Sequence, residues 1–226
     1  MAGLAELAQI LRGDAPDCWT AFIALSERTE PAALDLLLAQ CQSSDPHRRR
    51  AAIDAIGASP LGRTALTTVR KLLNDPIEPV QHAAIEAAAK LRDSGSHSVI
   101  RDLLKSRSVY TRGAAMRALD QLWQDGDFDA VFRVATTDRD ERARKQASFV
   151  LIGHVPPAWR RLVEFWQDSA VPRERAWACD LIERFGDASD RALAERFLKD
   201  SDGHVRDAAG RALITLELRA PRSASG

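Results

Sequence analysis

Residues Asp75 to Ala84 read DPIEPVQHAA, and residues Val205 to Leu213 read VRDAAGRAL. The second alanine of each pair, Ala84 and Ala209, belongs to a column that runs through the chain. Setting RRRAAIDAIG from Arg48, TRGAAMRAL from Thr111, ARKQASFVLIG from Ala143 and ERAWACDLIERFG from Glu174 in the same frame adds Ala52, Ala115, Ala147 and Ala178. By subtraction the steps between these alanines are 32, 31, 32, 31 and 31 residues, and a further 31 back lies Ala21 in CWTAFIALSE.

Apolar residues follow each alanine at three and four positions: Ala24 and Leu25, Ala55 and Ile56, Ala87 and Ala88, Ala118 and Leu119, Val150 and Leu151, Leu181 and Ile182, Ala212 and Leu213. Residues i, i+3 and i+4 share one face of a helix. Each such helix is preceded by a shorter apolar stripe: Leu4 to Leu11, Ala32 to Leu38, Leu66 to Leu73, Val99 to Leu104, Phe128 to Ala135, Leu162 to Trp166 and Leu193 to Leu198. The pattern predicts about seven two-helix units of about 31 residues. One unit alone cannot bury its stripe, so neighbours must stack, and the alanines allow close approach.

The turns carry matching punctuation. Asp45, Asp75, Ser106, Asp138, Ser169 and Asp200 precede the second helices, where a carboxylate or hydroxyl can accept a free backbone N–H. Pro79 and Pro172 fit first-turn positions, which need no N–H donor. Gly57 and Gly186 fall near helix ends. Apolar residues alternating with period two are rare, so essentially no sheet is expected.

The D-P-x-x-P-V-Q-x-A-A run at Asp75 to Ala84 and the V-R-D-A-A-x-R-A-L run at Val205 to Leu213 resemble HEAT repeats, in particular the short variety of the phycobilisome-lyase family. The resemblance covers nearly the whole chain. It implies an all-α, α-α superhelix formed by a single array over residues 1–218, followed by a disordered tail at 219–226. It says little about activity, because one fold hosts many functions.

At 226 residues with 45% hydrophobic and 28% charged content, the chain has the composition of a folded globular protein. Lys and Arg number 32, as do Asp and Glu, so no global field draws it to nucleic acid or an anionic membrane. Cys18, Cys41 and Cys179 are odd in number and form no CxxC pair, which points to reduced thiols rather than a disulfide framework or thiolate metal site. Met1 to Arg12 lacks the basic start of a signal peptide, so a cytoplasmic location is expected. Arginine outnumbers lysine 27 to 5, an association with GC-rich bacterial genomes.

Partner contacts in such an array come from side chains pointing away from the core, two residues before and two after each alanine. These are Trp19 and Ile23, Arg50 and Asp54, His82 and Glu86, Gly113 and Arg117, Lys145 and Phe149, Ala176 and Asp180, Asp207 and Arg211. A mixed surface of this kind suits a protein partner, with Arg50, His82, Glu86, Arg117, Lys145, Phe149, Asp180 and Arg211 as its contact residues. Trp19, Ile23 and Phe149 read in two ways: as apolar anchors of a binding patch, or as core side chains misplaced by one residue of register or by an atypical capping repeat.

A second column, three residues before the alanine, reads Cys18, Arg49, Gln81, Arg112, Arg144, Arg175 and Arg206. Its five arginines form either an anion-binding ladder for nucleic acid or, as the HEAT resemblance implies, structural partners for the turn residues Asp45, Asp75, Asp138 and Asp200 of neighbouring units. Catalytic readings lack residues. The paired His-Glu dipeptides of HEAT-repeat di-iron hydroxylases are absent, since none of His47, His82, His97, His154 and His204 is followed by Glu. There is no glycine-rich phosphate loop, HExxH or GxSxG motif, so neither cofactor nor metal is expected. Two alternatives carry less weight: bilin handling, implied by the phycobilisome-lyase resemblance, and an alkylpurine-glycosylase-like grip on DNA using Trp123, Trp159, Trp166, Trp177 and Asp180. The stripes place most of those tryptophans in the core. The expected function is a non-catalytic protein-binding scaffold or adaptor.

Overall fold

The computed structural model describes residues 2–13, 18–154 and 159–219. Those residues form no strand, and fourteen α-helices account for seven first-helix and second-helix pairs. The first helices are α1 (Leu4–Arg12), α3 (Pro31–Gln40), α5 (Leu66–Leu72), α7 (His97–Asp102), α9 (Phe128–Thr137), α11 (Trp159–Trp166) and α13 (Arg191–Phe197). The second helices are α2 (Cys18–Ser26), α4 (Pro46–Ala58), α6 (Glu78–Lys90), α8 (Val109–Leu122), α10 (Glu141–Gly153), α12 (Pro172–Phe185) and α14 (Gly203–Arg219). The fold class is all-α, of the HEAT and armadillo repeat type. Arg219, expected to begin the tail, is the last residue of α14, where its guanidinium bonds the carbonyls of Gly186 and Arg184; the rest of the expected tail lies outside the described residues.

The chain divides into two compact units, residues 1–151 and 152–226. In the first unit α2, α4, α6 and α8 pack in succession, and α1, α3, α5 and α7 each pack on the second helix that follows. In the second unit α11 packs on α12, α13 on α14, and α12 on α14.

The alanine column sets the spacing of these stacks. Ala21, Ala52, Ala84, Ala115, Ala147, Ala178 and Ala209 are all 0% exposed. A methyl group at each lets helix backbones approach, while Leu25, Ile56, Leu119, Leu151 and Ile182, four residues on, fill the space beside them and are also fully buried. Each such aliphatic contributes about 1.5–3 kcal/mol of burial. Leu213 departs from the pattern and is half-buried. Between α4 and α6 the approach is tight at Gly57, where a Cβ would stand 3.0 Å from the Cα of Ala87.

Turn chemistry follows the expected residues. Asp45, Asp75, Ser106, Asp138, Ser169 and Asp200 each accept the backbone N–H two residues on, which turns the chain into the second helix. Pro172 opens α12, and Pro79 is the second residue of α6. Gly186 caps α12 at its C-terminus with ordinary negative φ, so its role is space: a Cβ there would collide with the Ile182 carbonyl. At the end of α6 the chain reverses through Arg92, whose φ of 53° is left-handed, a conformation that costs a non-glycine residue free energy.

Candidate functional site

Two surfaces on the second helices decide what the fold can do: the arginine column and the row beside the alanines. The column is engaged inside the protein. In the first unit Arg49 holds both carboxylate oxygens of Asp75 at 2.9 and 3.1 Å, and its Nη1 donates to the carbonyls of Ser43 and Ser44 in its own turn. Arg112 repeats this on Asp138 and on the Ser106 and Arg107 carbonyls. In the second unit Arg175 does so on Asp200 and the Ser169 carbonyl. Gln81, standing in the column in place of arginine, donates to the Leu73 carbonyl.

Each of the three arginines thus ties its own turn to the turn of the next repeat. Arg144 and Arg206 keep the first half of this arrangement, donating to the carbonyls of Asp138 and of Asp200 and Ser201. The hydrogen bond from Arg175 holds the Asp200 carboxyl at about 2, well under the usual carboxylate value. The paired geometry that the HEAT resemblance implies is therefore present at three of the five column arginines, Arg49, Arg112 and Arg175, and these present little guanidinium edge to an external anion.

The row flanking the alanines is largely open. Trp19 is 52% exposed, Ile23 50% and Phe149 50%, so all three lie outside the core. Arg50, Glu86, Arg117, Lys145, Asp207 and Arg211 are exposed, and Asp54, His82, Ala176 and Asp180 are half-exposed. Gly113 is the correction: it is buried, because the side chain of Gln146 from α10 lies across it and donates to its carbonyl at 3.2 Å.

Charges in the row are matched locally. Arg50 lies 3.7 Å from Asp54, Arg117 3.9 Å from Glu86, and Arg211 2.9 Å from Asp180. Lys145 pairs with Glu141. Exposed pairs of this kind contribute little to stability and are free to exchange partners. His82 meets the Thr111 hydroxyl at 3.0 Å, and burial holds its imidazole pKa below the ordinary value; burial likewise raises the carboxyls of Asp54 and Asp180. Beside Trp19 a cavity of about 460 Å³ opens between α2 and α4, lined by Cys18, Phe22, His47, Arg48 and Arg50. A smaller one of about 220 Å³ lies between Glu86 and Arg117.

Of the tryptophans weighed for a DNA grip, Trp166 is in the core, while Trp123, Trp159 and Trp177 are half-buried. Trp166 is fully buried with its ring 5.4 Å from that of Trp177, and Trp159 lies 6.0 Å from Phe185. The alphabet of the columns did not reveal a second set of clamps, on the first helices: Arg70 to Asp93, His97 to Asp127 and Arg160 to Asp190. Their acceptors sit in the short turns ahead of α7, α9 and α13. The signal for them was a four-residue box, Asp93 to Ser96, Gln124 to Asp127 and Asp187 to Asp190.

Fold and column together define a HEAT-like repeat protein. Residues 66–152 match the family model described as HEAT repeats. No curated protein matches the sequence. Among solved structures an engineered protein is similar at 19% identity and a TM-score of 0.59, over 96% of this chain and 68% of that one. The complex of CpcE and CpcF of phycocyanin lyase from Nostoc sp. PCC7120 is similar at 18% identity and a TM-score of 0.58, over 97% of this chain and 89% of that one. A homology model of the full-length AP-3 complex is similar at 13% identity and a TM-score of 0.56, and this chain spans 50% of the matched chain. At these identities the likeness is one of fold. Among the described residues no helix is long and apolar enough to cross a membrane.

Proposed function

We propose that this protein is a cytoplasmic, non-catalytic scaffold or adaptor that binds a protein partner through the exposed row of its second helices. Within residues 1–151 the contact residues are Trp19, Ile23, Arg50, His82, Glu86, Arg117, Lys145 and Phe149; Asp180 and Arg211 extend the same register in the second unit. The observation that carries the reading is the exposure of Trp19, Ile23 and Phe149 at about half of their surface each. Large apolar side chains exposed in register with charged neighbours are what interface anchors require. Locally neutralised charges around them favour a partner with its own mixed charges over a polyanion.

The test compares wild type with an Arg117→Glu/Lys145→Glu/Phe149→Ala variant as bait in lysate of the native host, with and without nuclease. A protein retained by wild type, insensitive to nuclease and lost with the variant supports the reading. Capture abolished by nuclease, or equal for both baits, rejects it and favours nucleic acid through the arginines that remain open, Arg144 and Arg206.

A further inference from the structure

Residues 93 to 97 read DSGSH and residues 124 to 128 read QDGDF, the same turn one repeat apart. On the first helices Arg70 and Arg101 are 31 residues apart, as are Gly95 and Gly126. Arg70 lies across Gly95, where a Cβ would strike its guanidinium, and grips both oxygens of Asp93 at 2.9 and 2.5 Å. Arg101 also reaches the glycine of its box but less closely, its Nη1 3.8 Å from the position of a Cβ at Gly126, an ordinary van der Waals distance. The carboxylate is missing: Gln124 stands where Asp93 stood, and its amide oxygen already accepts the Asp127 N–H.

Arg101 therefore projects into a cavity of about 260 Å³ between α7 and α9 with no carboxylate in its grip. Arg133, in the same column one repeat on, lines that cavity too, over a floor that includes Leu104 and Val134. Neither guanidinium makes a side-chain hydrogen bond or ion pair among the described residues, in a protein where Arg49, Arg70, Arg112, Arg160 and Arg175 all hold aspartates. The two acids at the cavity are engaged: Asp102 bonds Lys105 at 2.8 Å and feels the charge of the neighbouring Arg101 at longer range, and Asp129 has an interaction of its own.

We infer that the α7–α9 cavity binds an acidic peptide segment of a partner, with a glutamate or aspartate carboxylate occupying on Arg101 the place that Asp93 occupies on Arg70, and Arg133 taking a second acidic side chain. Two planar guanidiniums beside apolar floor residues suit carboxylates carried on a peptide, whose stems cover Leu104 and Val134. This site lies on the first helices, and it stands or falls independently of the second-helix row.

A fluorescein-labelled hexaglutamate peptide titrated with the full chain at low salt tests it by anisotropy. Wild type is expected to bind, and Arg101→Glu/Arg133→Glu to lose roughly tenfold or more in affinity. Arg139→Glu/Arg142→Glu, which removes the same charge at exposed positions away from the cavity, is expected to bind within about twofold of wild type. Arg101→Gln/Arg133→Gln, with a thermal melt matching wild type, guards against loss through misfolding and is also expected to bind weakly. Absence of binding by wild type, an equal loss in the Arg139/Arg142 variant, or displacement by inorganic phosphate as effective as by unlabelled peptide overturns the assignment.

Discussion

The guanidinium of Arg112 holds both carboxylate oxygens of Asp138, at 2.7 and 2.8 Å, with both side chains almost fully removed from water. The two residues lie 26 positions apart, so the pair ties one repeat to the next. Replacing Asp138 by Ala leaves a buried guanidinium without its counter-charge and also removes the acceptor for the Asp140 N–H. A loss of about 3–5 kcal/mol is expected for breaking one side of a buried pair. Urea denaturation of the variant against wild type checks it; a change no greater than at an exposed pair such as Lys105–Asp102 would show that the clamp contributes little.

Asp200 sets a pH dependence. Its carboxyl, hydrogen-bonded by Arg175, titrates at about 2 against an ordinary value of 3.8. Because the folded-state value is the lower one, its contribution to stability is complete above the ordinary value and is lost as pH falls toward the folded value. The urea midpoint is therefore expected to decline from about pH 4 to about pH 2, and Asp200→Asn to have a lower midpoint at neutral pH and a shallower decline. An unchanged slope in the variant would remove Asp200 as the cause.

The thiols divide by burial. Burial pushes Cys41 and Cys179 up to about 12, while Cys18 is half-exposed on α2. The thiolate is the reactive form, so native protein at mildly alkaline pH is expected to react with a disulfide reagent at Cys18 and to release the other two thiols only in denaturant. Mass spectrometry of the labelled peptides identifies which cysteine reacted; rapid native labelling of Cys41 or Cys179 would contradict the packing.

The alanine column and the neighbouring row respond in opposite ways. Ala84→Leu forces a branched side chain into a fully buried contact and is expected to cost roughly 1–3 kcal/mol or more by overpacking. Trp19→Ser, at a residue 52% exposed, is expected to change stability by about 0.5 kcal/mol or less. Chemical denaturation of both variants measures the contrast, and a large loss at Trp19 would return it to the core.

How much was legible follows from what repeats in the chain. Spacing alone located all seven buried alanines, because a position where backbones meet tolerates nothing larger and the constraint returns with every unit. The same geometry located the open row, and it left Trp19, Ile23 and Phe149 divided between surface and core, since helix periodicity cannot say whether a terminal or neighbouring unit covers a side chain. Gly113 was misplaced because its cover comes from Gln146 on the next second helix, at a distance in sequence that no single-helix pattern reports. The first-helix clamps have no single column: His97 and Arg160 stand at one position of the unit with different side chains, Arg70 at another, and the acceptor is the first residue of the box at Asp93 but the last at Asp127 and Asp190. Arg101 is legible only by comparison: its meaning lies in the aspartate that position 124 lacks.

Each turn aspartate of the Asp75, Asp138 and Asp200 set serves two masters, accepting an N–H within its own unit and an arginine from the unit before. A unit that holds both a turn aspartate and a column arginine, as Asp138 and Arg144 do, thus arrives on copying with the socket its predecessor needs and a plug for its successor. Gene duplication in such a chain inserts a segment already compatible with both seams, and lengthening requires no simultaneous change elsewhere. The exposed side chains of the new copy, bound by neither seam, are left free to diverge.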